Sequence, residues 1–524
     1  MSEFLSAPVS RRSVLGGAGG VSLAALLAAC SSGSGSTAAG GKFAGTMTFL
    51  LPGTAPAGWQ AVLAAVNKQL KTDLGFQINP QFISWTDYST QSLLRFTSGA
   101  NFDTALQARW LAMNQLVSDK AVIGLNSLYG SGEYADLAGA ISPEIIEANR
   151  WNGELYGIPQ VNGAARIHHY VIRQDLAEQV GAGEITSFDQ LEKYWYDVKQ
   201  KSAGVIPFGL SSNNTRNSVF GPITPVLNPY SWDNRMISAV NFTGESLWFS
   251  LSPDGVSTGS SNPVPFWEAE GVVDALNRVR KYYLDGIINK DMLNADSKAV
   301  SGLFSAGKYA TSWAITDGTS SNAITALAKA VPSAKLANVL PLAGGLESMP
   351  YQTFQSDNFV VLNARGQSHE SAMQLQNWLS VKKNHDLISY GIEGSDWKAS
   401  GEDGIQRVST YDFPGFALCW RVPLERKPVT MSASEERIFE WSKDPKNFEL
   451  DPYASFIPDV TPVKNENTQL AAVMTQYCKP LFAGAVDVVQ GLDNLKKACE
   501  RAGLAKVQAE LAKQADAYLK TKKS

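Results

Sequence analysis

The chain has 524 residues, more than the ~250–300 over which one hydrophobic core grows, so two or more domains are expected. Hydrophobic residues make up 44% and charged residues 18%, a balance that excludes a disordered or fibrous chain. A net charge of −4 supplies no positive field for non-specific nucleic-acid binding, while 13 Trp make the chain rich in large aromatic surface.

The N-terminus comes first in chain order. Arg11 and Arg12 precede an apolar, Gly/Ala-rich run that ends Leu27-Ala28-Ala29-Cys30, and Ser/Gly-rich residues follow. A charged start, a short apolar run and a small-residue cleavage site make a signal peptide; the run is too short for a span of ~20 residues. The twin arginines look like a Tat signal. Leu-Ala-Ala-Cys resembles the bacterial lipobox. That resemblance implies removal of residues 1–29, lipidation of Cys30 and a flexible tether over residues 30–42. The body would then be held at the outer face of the cytoplasmic membrane. No later run approaches 18 apolar residues.

Residues 46–51 read as a strand, 52–58 as a loop and 59–70 as a helix. A strand over 75–83, a helix over 88–98 and a buried strand over 102–106 follow. This alternation predicts an α/β domain with a mainly parallel sheet. Ligands of such sheets bind beyond the carboxyl ends of the strands, where the segments 52–59 and 107–110 fall. A second α/β segment begins with a strand over 168–172. A helix over 175–180 and a helix capped by Ser187 through Gln190 and running to about Ser202 come next, then a strand over 206–210. Residues 250–265 read as a polar loop, 268–285 as a helix stopped by Gly286, 359–362 as a strand and 369–380 as a helix. The tail over 469–520 is mostly helical.

Cys419, Cys478 and Cys499 remain after the signal segment, and an odd number permits at most one internal disulfide. Cys478 with Cys499 is the expected pair, from their closeness on two predicted helices. No Cys/His spacing suggests a metal site. Gly255-Val256-Ser257-Thr258-Gly259 matches G-x-S-x-G but lies in the polar loop, without the strand-turn-helix setting of a nucleophile elbow. Glu268, Glu270, Glu435 and Glu436 read as solvated helix faces, His369 and His385 as helix-surface residues. One of His168 and His169 is expected to face the core. A hydrolase needs two carboxylates flanking the scissile bond, and acids are plentiful enough to keep a lipid-anchored glycoside hydrolase as the second reading.

Local stretches resemble one family in its order along most of the chain. Residues 151–159, Trp-Asn-Gly-Glu-Leu-Tyr-Gly-Ile-Pro, are similar to a segment of the extracellular solute-binding proteins of bacterial ABC importers. So are Ile172-Arg173-Gln174-Asp175-Leu176, Leu284-Asp285-Gly286-Ile287-Ile288 and Phe304-Ser305-Ala306-Gly307-Lys308. Tyr390-Gly391-Ile392-Glu393-Gly394-Ser395-Asp396-Trp397 resembles a loop of the large carbohydrate-binding branch. The resemblance implies a two-lobed α/β fold of the periplasmic-binding-protein type (type II), with crossing hinge strands and a helical C-terminus. Lobe one would be residues 43–160 plus 357–430, and lobe two 161–356 plus 431–524. The crossings would fall near 159–164, 352–358 and 414–428. An oligosaccharide ligand and ABC permease subunits are the implied partners, with no cofactor. Some relatives carry a calcium loop after the helix near residue 200. Here Lys199 and Lys201 replace its carboxylates, so no calcium is expected.

Sugar recognition needs flat apolar area for C–H faces and amides, acids or Arg for hydroxyls. The resemblance places a stacking aromatic at Trp313 and another at Trp397. Gln107, Arg109 and Trp110 follow a buried strand. Gln160 and Asn162 lie at the first crossing, and Asn213 in a polar strand-end loop. Trp59 is placed either to line the cleft or to staple its helix, and Trp232 follows an Asn-Pro-Tyr turn.

Overall fold

The computed structural model describes residues 43–522, apart from 110, 152, 165–167, 212–237, 242–246, 270, 316–320, 341–344 and 348. The signal segment, Cys30 and the tether lie outside the described residues. The chain divides after Phe43, and the unit from Ala44 onward carries the fold.

Two main sheets are built from β1 (Thr46–Pro52), β2 (Gln77–Ile83), β3 (Thr104–Ala108), β4 (Ile158–Gln160), β5 (His168–Arg173), β6 (Thr311–Ile315), β7 (Leu336–Val339) and β8 (Asn358–Leu362). The first sheet has the order β2-β1-β3-β8-β4. β1 pairs parallel with β2 and β3, and β8 runs antiparallel to β3 and β4. Its central strands are buried on both faces: Phe49, Leu50, Leu106 and Val361 are inaccessible to solvent, which is why they read as continuous apolar runs. The second sheet, β7-β5-β6, is antiparallel throughout. The strand expected over 206–210 makes only isolated bridges, Ile206 to Tyr309 and Phe208 to Ile288.

The helices used below are α1 (Trp59–Asp73), α2 (Trp85–Ser98), α3 (Phe188–Lys201), α4 (Val272–Asp285), α5 (His369–Trp378), α6 (Lys382–Tyr390), α7 (Ala433–Lys443), α8 (Lys464–Val473), α9 (Val488–Arg501) and α10 (Leu504–Lys522). α1 buries Trp59, Val62, Val66 and Leu70, one stripe at helical spacing. α3 starts on the capping box that its sequence announces, Ser187 with Gln190. Its Trp195 stacks on Phe208 at 5.2 Å and 17°. α4 stops at Gly286, which takes φ 70° at the C-cap. Helices α8, α9 and α10 form the helical tail. Instead of a plain loop, residues 248–265 hold a strand (Trp248–Leu251), a helical turn (Gly255–Thr258) and a short strand (Val264–Pro265).

Among the described residues, the chain links the two sheets at three places. It leaves β4 for β5 through Val161 to Ala164, and Val161 bridges to Arg421. It returns from β7 to β8 past Ser356, whose Oγ lies 3.1 Å from the Gln160 carbonyl. It leaves again into α7, where Ser434 Oγ accepts from the Asn338 N–H of β7 at 2.9 Å and the Ser442 carbonyl accepts from Ala164 N–H.

Candidate functional site

The carboxyl ends of the three parallel strands define one edge of the first sheet. Gly53 follows β1, Ser84 and Trp85 follow β2, and Arg109 follows β3. Gly53 N–H donates to the Ile83 carbonyl at 2.7 Å, tying two of these ends together. Tyr88, one turn into α2, is buried with its hydroxyl 3.1 Å from the Leu50 carbonyl and 2.9 Å from that of Leu106. This fixes the start of α2 against β1 and β3 and leaves Trp85 at the edge.

Trp85 is 48% exposed, far more than a structural Trp needs. Its ring stacks on Phe416 at 5.8 Å and 20°, and Phe416 meets Trp420 edge-on at 5.8 Å. Phe416 and Trp420 are both half-buried. Gly415 is required here: an added Cβ would sit 2.8 Å from Trp420 Cδ1 and push the ring away. Three aromatic rings thus form a partly exposed shelf at the strand-end edge. A flat, partly exposed apolar face of this kind suits the C–H face of a pyranose ring.

Behind the shelf lies a buried polar knot. Arg421 is wholly buried, and every acceptor of its guanidinium is neutral: Ser380 Oγ at 3.0 Å, Gln376 Oε1 at 2.7 Å, Gln160 Oε1 at 3.2 Å and the Trp420 carbonyl at 2.7 Å. Burial lowers its pKa to about 10, so it stays cationic at neutral pH. Next to it, His385 is wholly buried, with Nδ1 3.3 Å from Asp386 and Nε2 3.3 Å from Glu425. Burial favours the neutral ring, but the carboxylates of Glu425 and Asp386 outweigh it and raise the pKa above the ordinary imidazole value. Arg426 holds Asp386 at 2.8 Å and lies over the Trp397 ring at 4.7 Å.

These positions correct several expectations. His385 is no helix-surface residue: residues 419–426 cover the polar face of α6. Glu435 is buried at the start of α7 instead of lying on a solvated face, whereas Glu268 is exposed. His369 is half-buried, its Nε2 2.9 Å from the Asn363 carbonyl. His169 faces the core, as expected for one of the His168–His169 pair, with Nε2 3.0 Å from Asn338. Cys478 and Cys499 are buried thiols, not a bridged pair. Ser257 sits inside a helical turn and donates to the Asp254 carbonyl at 2.8 Å. In the segment compared with a calcium loop, Asp197 pairs with Lys193 at 2.6 Å and Lys201 at 3.5 Å.

The sequence-nominated site residues divide. Arg109 and Trp59 lie near the strand-end edge. Trp59 is buried, stacked on Phe413 at 5.4 Å and edge-on to Phe82. Arg109 lies over Trp151 at 4.4 Å and donates to Asn149 Oδ1 and to the carbonyls of Ala148 and Ser356. Gln107 is buried; its amide meets Ser92 Oγ, and its oxygen accepts from Ala112 N–H. Gln160 is buried between the Ile158 carbonyl and Arg421. Asn162 is half-buried in the turn after β4. Trp397 is buried, donating to the Gly391 carbonyl at 3.0 Å. Trp313 lies in β6 opposite Tyr170; its ring, like Trp110, Asn213 and Trp232, lies outside what the structure describes.

Comparison with known proteins gives the family context. Residues 452–520 match a domain of unknown function, DUF3502. The chain is 26% identical over 516 residues to a carbohydrate ABC transporter substrate-binding protein of Streptococcus pneumoniae serotype 4, covering 96% of this chain and 97% of that one. It is similar to the crystal structure of the N-glycan transport solute binding protein NgtS from Streptococcus pneumoniae, with TM-score 0.74, 21% identity, and coverage of 91% of this chain and 99% of that. For NgtS in complex with Man5GlcNAc the TM-score is 0.65 at 22% identity, covering 91% and 99%. This is the two-lobed fold of the solute-binding proteins.

A solute-binding fold places the shelf on the face where strand ends converge, as open α/β sheets place their ligands. Trp85, Phe416 and Trp420 were not singled out from sequence. Trp85 carried a usable signal, since it follows a strand by two residues and is preceded by Ser84, which donates to Asp87 at 2.7 Å. Phe416 and Trp420 come from a distant segment whose landing place no local pattern announces.

Proposed function

We propose that this protein captures an extracellular oligosaccharide and delivers it to the permease of an ABC importer. The aromatic shelf of Trp85, Phe416 and Trp420 at the strand-end edge carries this reading, because a half-exposed Trp backed by a second ring has no structural need of its exposure. Two lobes, residues 43–160 with 357–430 and residues 161–356 with 431–524, close on the sugar. Contacts made by both lobes favour the closed state, which docks on the permease. Trp313 and the polar residues after β4 meet the sugar from the facing side. Cys30 carries the lipid that holds the body at the outer membrane face. In keeping with this placement, among the described residues no helix is long and apolar enough to cross a membrane.

The protein binds without cleaving. Ser257, the hydroxyl of the G-x-S-x-G match, is held in a helical turn and donates to the Asp254 carbonyl, which supports this. A thermal-shift screen against neutral and uronic mono- and oligosaccharides tests the reading. One oligosaccharide class should raise the melting temperature with no reducing ends released. Reducing ends accumulating would favour the hydrolase; no shift with any sugar would point to another solute.

A further inference from the structure

Arg421 joins parts of the molecule that are far apart in sequence. Its backbone bridges to Val161, on the route from β4 to β5. Its guanidinium reaches Gln160, the last residue of β4 before that route, Gln376 in α5, Ser380 after it, and the carbonyl of its neighbour Trp420, a ring of the shelf. A planar fork with several fixed donors can hold these acceptors at once; an ammonium cannot. The side chain is wholly buried, so water does not replace a contact that opens. Because all the acceptors are neutral, the arrangement depends on their geometry instead of on one dominant ion pair.

We propose that Arg421 is a positioning residue that couples the aromatic shelf to the β4–β5 connection, so that sugar seated on Trp85 and Trp420 biases the angle between the lobes. The inference rests on the solute-binding reading, but its first test needs no ligand. Gln160 ends β4 where the connection begins and faces Arg421 across 3.2 Å, so Gln160→Leu removes the link and Gln160→Glu replaces it with a charge pair.

Hydrogen exchange is followed by mass spectrometry on the full chain without sugar. Gln160→Leu should speed exchange about tenfold at Val161–Ala164 and, with it, at Phe416–Arg421. Gln160→Glu should slow both, and Arg421→Lys should make the two segments respond independently. Changes confined to the connection, with residues 416–421 unmoved, would overturn the coupling whether or not any sugar binds. In a second arm, small-angle scattering with Man5GlcNAc should show compaction in the wild type and a smaller compaction in Gln160→Leu at saturating sugar. Equal compaction in both would also overturn it. Absence of any sugar effect in the wild type would instead count against the binding reading.

Discussion

Trp59 and Trp85 hold equivalent places in the chain. Each opens a helix just after a parallel strand of the first sheet, and each stacks on a ring of the same distant segment: Trp59 on Phe413, Trp85 on Phe416. Yet Trp59 is 4% exposed and Trp85 is 48% exposed. Both rings have a second aromatic neighbour, Phe82 for Trp59 and Tyr88 for Trp85, so the difference lies in how much ring surface solvent reaches. One ring was completed as core, and the other was left as surface. The difference separates a Trp that holds the fold from a Trp available to a ligand, and neighbouring sequence does not reveal it.

The largest expected effect breaks the buried member. Trp59→Ala should destabilise the protein by ~3–5 kcal/mol in urea unfolding, the usual range for emptying an aromatic core site. Trp85→Ala should act on binding instead of stability. Removing about 100 Å² of stacking surface is worth ~2 kcal/mol, a loss of roughly 30-fold in oligosaccharide affinity by calorimetry, with the melting temperature unchanged.

A smaller effect reports on the knot behind the shelf. The folded pKa of His385 is raised, so its charged form stabilises the fold below the unfolded value of ~6.5, and that contribution is lost as pH rises through the folded pKa. Melting temperature measured across pH 5.5–8.5 should carry this decline in the wild type, and His385→Asn should flatten it; an unchanged slope would exclude the assignment. The smallest expected effect is none at all. With Cys478 and Cys499 unbridged and the Cys499 thiol pushed by burial up to about 12, dithiothreitol should leave the melting temperature where it is. A drop of several degrees would reveal a bridge.

Local signals were strong wherever a short pattern decides the structure. The capping box at Ser187 and the stop at Gly286 stand in the sequence as in the fold. So does the strand–helix alternation from Thr46 to Ala108, with the second helix beginning at Trp85 instead of Tyr88 and the third strand at Thr104–Ala108 instead of 102–106, so that Gln107 falls inside it. The two-lobed fold was legible from motifs spread along the chain. The shelf was not, because Phe416 and Trp420 reach Trp85 only through long-range packing. The same limit explains His385. Its helix reads as polar, and only the distant segment bearing Glu425 and Cys419 turns that polar face into an interior.

The central claim is that the exposed part of the Trp85 ring receives sugar. The direct measurement is a tryptophan-fluorescence titration of the full chain with the oligosaccharide class that raises the melting temperature, wild type beside Trp85→Ala. A saturable change in the wild type that weakens by roughly 30-fold in the variant is the predicted result. Equal affinity in the two proteins would contradict it and move the binding face away from the shelf.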